Sequence, residues 1–101
     1  MLESFTVRTF SGHLGSTFRI YPESSDSLEV ELVSATDLSE SPDGEAAGRG
    51  RPFSIVLSGP ADVLLPQHIY RMEHPEIGTF DLFLVPIGPD ETGMRYEAVF
   101  N

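Results

Sequence analysis

Tyr70-Arg71-Met72-Glu73, then His74-Pro75-Glu76-Ile77-Gly78, then Phe80-Asp81-Leu82-Phe83-Leu84-Val85-Pro86-Ile87 form two strand-like runs joined by a turn. Gly88-Pro89-Asp90-Glu91-Thr92-Gly93 reverses the chain into Met94-Arg95-Tyr96-Glu97-Ala98-Val99-Phe100-Asn101, where Tyr96, Ala98 and Phe100 alternate with Arg95, Glu97 and Val99. Runs of period two punctuated by proline and glycine predict an antiparallel meander. Upstream, Ser16–Tyr21 is β-branched and aromatic and stops at Pro22. Leu28-Glu29-Val30-Glu31-Leu32-Val33 alternates apolar with acidic residues, so Glu29 and Glu31 read as a solvated face. Pro52-Phe53-Ser54-Ile55-Val56-Leu57-Ser58 ends on Gly59-Pro60.

Six strands are therefore expected, near Ser16–Tyr21, Leu28–Ala35, Phe53–Ser58, His68–Glu73, Thr79–Ile87 and Arg95–Asn101. Short antiparallel strands at this spacing predict an all-β fold, either a small barrel or a two-sheet sandwich, in one domain over residues 1–101. Val7, Phe10 and Leu14 stand at helical spacing between Thr6, which can cap a start, and Gly15, which can end a helix. One short N-terminal helix is expected there. Ser39–Arg51 has no large apolar anchor beyond its flanks and reads as a surface loop, and Ala61–Pro66 reads as a connector with room for a helical turn.

Composition narrows the function. At 101 residues the chain is long enough for a single core. It has no cysteine, which removes disulfides, thiolate catalysis and thiolate metal sites. Sixteen acidic residues against six basic ones give a net charge of −10, and every basic residue is an arginine. Such a surface repels phosphate backbones, so no nucleic-acid partner is expected. Without lysine there is no Schiff-base chemistry. Met1-Leu2-Glu3-Ser4-Phe5 does not open a basic-then-apolar leader, and no segment approaches the roughly 20 apolar residues of a membrane span. The default expectations are no membrane and a cytoplasmic location.

The histidines are the first place to look for chemistry. His13 is placed at a helix end and His74 before a proline in a turn, so capping and turn roles account for both. His68 and His74 can share a strand face, and a metal site there would need further ligands from Glu73, Glu76 or Asp81 without the support of a known spacing motif. Gly-x-Ser-x-Gly does not occur, and alternation puts Glu29 and Glu31 in solvent rather than in a cleft. No catalytic, cofactor-binding or metal residues are assigned, and the chain is expected not to be an enzyme. One feature exceeds an ordinary strand. Beyond Asp81 both alternating sets of the fifth strand are apolar, Phe80, Leu82 and Leu84 against Phe83, Val85 and Ile87. A small domain normally buries one face of a strand, so two readings stand side by side: the N-terminal helix or the Ser39–Arg51 loop covers the second set, or Phe83, Val85 and Ile87 are the candidate interaction residues of an exposed patch.

The elements Phe10-x-x-His13-Leu14-Gly15-x-x-Phe18, Leu28-x-Val30-x-Leu32, Phe53-Ser54-Ile55-x-Leu57-x-Gly59-Pro60, Gln67-x-x-Tyr70-x-Met72-x-His74-Pro75-x-Ile77-Gly78, Leu82-Phe83-Leu84-Val85-Pro86-Ile87-Gly88 and Tyr96-Glu97-Ala98-Val99-Phe100-Asn101 resemble a family of roughly hundred-residue bacterial domains of unknown function. The resemblance implies a gene placed near those of proteins with phage tail-collar domains. The resemblance implies a common fold and an accessory or structural role in a tail-like or fibre-like assembly. It implies no catalytic residues. The expected function is a non-enzymatic interaction module with a protein partner or self-association, acting through Phe83, Val85 and Ile87 and an open edge of a terminal strand. The alternatives are a small-molecule-binding barrel with its ligand between Phe18, Leu57, Met72 and Tyr96, and, third, a metal- or acid/base-dependent enzyme using His68 and His74.

Overall fold

A computed structural model describes residues 6–22, 27–38, 52–91 and 93–100. They form one short helix, α1 (Val7–Ser11), and six strands, β1 (Thr17–Tyr21), β2 (Leu28–Asp37), β3 (Phe53–Gly59), β4 (His68–His74), β5 (Gly78–Asp90) and β6 (Gly93–Phe100). Every pairing between them is antiparallel, and the order β1-β2-β3-β6-β5-β4 closes on itself as a barrel. Of the two architectures compatible with the alternation, the barrel is therefore the one formed. The closing ladder is Arg19↔Glu73, Ile20↔Met72 and Tyr21↔Arg71.

Closure dictates what alternation does. Phe18 and Ile20 of β1, Val30 and Leu32 of β2, Tyr70 and Met72 of β4, and Phe80, Leu82 and Leu84 of β5 all point inward and are buried. The core is the barrel's own filled interior, as expected for so few strands. α1 stoppers one end. Phe10 is fully buried, with its ring centroid 6.3 Å from Phe18, 6.0 Å from Phe53, 6.1 Å from Phe80 and 5.5 Å from Phe100. The helix is shorter than the spacing of Val7, Phe10 and Leu14 predicts, because Gly12 caps it. Leu14 falls in the turn that follows and is 53% exposed, so it is not part of the helix's buried face. Thr6 does start the helix, its N–H donating to Thr9 Oγ1 at 3.1 Å.

The β3–β4 connection crosses the opposite end. Leu65 is buried there, its N–H donating to Tyr96 Oη at 3.0 Å, while Tyr96 Oη donates to the Val63 carbonyl at 3.2 Å. Tyr70 Oη donates to the Pro66 carbonyl at 2.6 Å. The connection holds a single turn, Val63 N–H to Pro60 O at 3.3 Å, and no helix.

β5 runs further than its sequence suggests. Gly88 to Asp90 belong to the strand, and Asp90 lies opposite Gly93, where β6 begins. Pro86 and Pro89 are tolerated because the β4 ladder stops at His68↔Leu84, so this end of β5 has β6 as its only ladder partner among the described residues. Gly93 sits at φ 150°, and a Cβ there would lie 2.1 Å from the Gly59 carbonyl oxygen, so this close crossing of β6 and β3 requires glycine.

Candidate interaction surface

The outward positions divide the barrel wall into two unlike halves. On β1, β2 and the later part of β4 they are charged and paired across strands. Arg19 meets Glu29 at 3.5 Å, Arg71 meets Asp81 at 3.5 Å, and Tyr21 Oη donates to Glu73. That last bond holds the Tyr21 hydroxyl above its ordinary pKa. Glu29 and Glu31 are exposed, as their alternation predicts. Exposed pairs of this kind add little stability, and they mark a face built for water.

The other half is apolar. Phe83 is 50% exposed and Ile87 49% exposed, with Val85 partly buried between them. The register sets Ile69 of β4, 60% exposed, directly opposite Phe83. Val85 faces Glu97 of β6, and Glu97 faces Val56 of β3. Val99, 52% exposed, stands two residues along β6 on the same outer side, opposite Ser54. The three residues expected from sequence thus lie together on the outside, in a band that crosses β4, β5, β6 and β3. Ile87, in phase with Phe83 and Val85, lies at the register irregularity between Pro86 and Gly88, at the band's end. α1 packs against β2 and β3 and does not cover this band. The loop Ser39–Arg51, the other candidate cover, lies outside the described residues.

Sequence reading missed Ile69, Val56 and Val99. The signal was present in their phase: each is an apolar residue in the set that otherwise carries Arg71 and Glu73, Ser54 and Ser58, or Arg95 and Glu97. Their assembly into one band depends on β3 and β5 both flanking β6, which local pattern does not specify. That same order overturns the expectation of an open edge on the terminal strand. β6 is paired on both sides, so it offers no edge for strand addition.

The histidines group differently from the pairing considered above. His68 and His74 lie on one face but at opposite ends of β4, about 20 Å apart at strand rise. His68 packs edge-on against Tyr70 at 5.4 Å. His74 instead meets His13 at 4.6 Å and Phe18 at 4.5 Å, and His13 Nδ1 lies 3.6 Å from Glu76 Oε1. His74 is 5% exposed, and its Nδ1 accepts the N–H of Glu76 at 3.0 Å and of Ile77 at 3.3 Å. The turn role expected of His74 is what it performs. Two N–H donors on Nδ1 fix the neutral ring's proton on Nε2, leaving neither nitrogen free to ligate a metal. Burial pushes this imidazole below its ordinary pKa, with His13 acting in the same direction and Glu76 against it. A cleft of about 350 Å³ opens beside the group, lined by His13, Ser16, Thr17, His74, Pro75 and Glu76. Among the described residues, no group of three acidic or histidine side chains is placed to hold a metal ion, and no helix is long and apolar enough to cross a membrane.

The proposed ligand-lining residues Phe18, Leu57, Met72 and Tyr96 converge inside the barrel, where each is almost fully buried by the others and by the rest of the core.

Compared with known families, residues 5–100 match the model of a domain of unknown function (DUF6916). No curated protein and no solved structure matches the chain.

Proposed function

The chain belongs to the DUF6916 family, and on that premise we propose that it is a non-enzymatic interaction module that docks a protein partner on the apolar band of β4, β5, β6 and β3. The observation that carries the proposal is the outward exposure of Phe83 and Ile87 together with Ile69 and Val99 on one side of a closed barrel. Contiguous apolar surface on a small acidic domain is costly to leave bare and marks a contact site. Covering these four half-exposed side chains is worth about 3–6 kcal/mol, taking half of the usual burial gain for each. That falls short of the roughly 8 kcal/mol of a micromolar complex, before any cost of association. The band is therefore a weak dock that needs polar complementarity or repetition within a larger assembly. Repetition is what an accessory part of a tail-like or fibre-like particle provides, the role implied by the sequence resemblance. The small-molecule alternative has less support, because the residues it would use already fill one another's contacts.

The triple substitution Phe83→Ser, Val85→Thr, Ile87→Thr tests the proposal. In extracts of its native cell the parent should sediment with a larger assembly. The variant should sediment at its own 11.1 kDa while melting within a few degrees of the parent. A variant that stays with the assembly, or that loses its cooperative melt, contradicts the docking role.

A further inference from the structure

We infer that the partner of the apolar band is basic, presenting an arginine or lysine between apolar side chains, and that it is not a second copy of this chain. The inference rests on the docking reading above and names the chemistry of what docks. Glu97 lies inside the band, with Val56 opposite it on β3 and Val85 opposite it on β5. It is partly buried, and among the described residues its carboxylate has no ion-pair or hydrogen-bond partner. Arg95, the cation two residues back on the same outer side, is engaged by Asp90.

A carboxylate between two valines is stable while water hydrates it. Any partner that covers the valines also strips that water, and the charge then needs a cation brought by the partner. A guanidinium suits the place well, because it is weakly hydrated, pairs with a carboxylate through two parallel bonds, and stacks on an aromatic face such as that of nearby Phe83. A second copy fits badly. Docking by the same face about a twofold axis would bury two Glu97 carboxylates in one interface and join two chains of net charge −10 each. On the charged half of the wall, by contrast, Glu29 and Asp81 already have arginines.

Three synthetic twelve-residue peptides test this, identical in their leucines and phenylalanines and carrying arginine, glutamine or glutamate at the polar positions. Each is titrated into the purified ¹⁵N-labelled domain. The arginine peptide should move the amide signals of Val85, Glu97 and Val99, the glutamate peptide should not, and Glu97→Gln should weaken the arginine peptide by roughly tenfold or more. Glu31→Gln removes the same charge from the other half of the wall and should leave binding within about twofold, which separates a local pairing from attraction to the whole acidic domain. If the glutamine peptide binds the band as tightly as the arginine peptide and Glu97→Gln changes neither, the band docks but the basic partner is wrong. If the domain alone self-associates through the band in sedimentation, a second copy is the occupant and the inference is overturned. If none of the peptides moves those signals, the docking reading fails and the inference falls with it.

Discussion

His74 shows how a single side chain ties the turn chemistry to the barrel wall. Its Nδ1 accepts two N–H groups of the β4–β5 turn while its ring packs on Phe18 and His13. Burial, and then the proximity of His13, lower its affinity for a proton, partly opposed by Glu76. The unfolded chain binds that proton near the ordinary histidine value of about 6.5 and the folded chain only at lower pH, so stability rises with pH through the interval between the two. The melting temperature should therefore fall as the pH is lowered from about 7.5 to 5, above the range where most carboxylates titrate. His74→Asn should flatten that dependence, because an amide oxygen accepts the same turn N–H groups at every pH. An unchanged slope in His74→Asn would place the titration elsewhere. The turn role was legible from His74-Pro75 alone, whereas the approach of His13 was not. Sixty-one positions separate the two residues, and they meet because β1 and β4 close the barrel.

At the level of elements, five of the six strands start within one residue of where alternation places them, and β6 begins two residues earlier, at Gly93. Period two is visible wherever one face is core and the other water, as in Val30 and Leu32 against Glu29 and Glu31. It fails to say which side is inside where both sets are apolar, and β5 is such a strand. There, Phe80, Leu82 and Leu84 won the core, in phase with the buried Tyr70 and Met72 of β4, and Phe83 was left outside. α1 ends before Leu14 because Gly12 stops a helix that the spacing of Leu14 would otherwise extend. β6 helps to close the stoppered end. Phe100 stacks on Phe53 with ring centroids 4.3 Å apart and planes 7° from parallel, and both lie against Phe10 in the stoppered end. Phe100→Ala should cost about 3 kcal/mol, the low end for a packed phenylalanine because the ring is partly exposed. Chemical denaturation measures this directly. A loss under about 1 kcal/mol would mean that the aromatic cluster does not hold the helix to the barrel.

The whole molecule owes its exposed apolar band to closure. A sandwich and a barrel share the same alternation, and the choice between them rests on pairing β1 with β4, two strands far apart in the chain. Closure pairs the terminal strand on both sides, so the docking proposed here rests on side chains of the wall and not on strand addition. The wall is polarised, with paired charges on one half and the Ile69, Phe83, Val99 band on the other. Site-specific photocrosslinking in the native cell is the most direct test of that polarity, with a photoreactive phenylalanine analogue placed at position 83 or, as the contrasting site, at position 31. The account predicts a discrete crosslinked species from position 83 and none from position 31. Equal crosslinking from both positions, or crosslinking from position 31 alone, would contradict it.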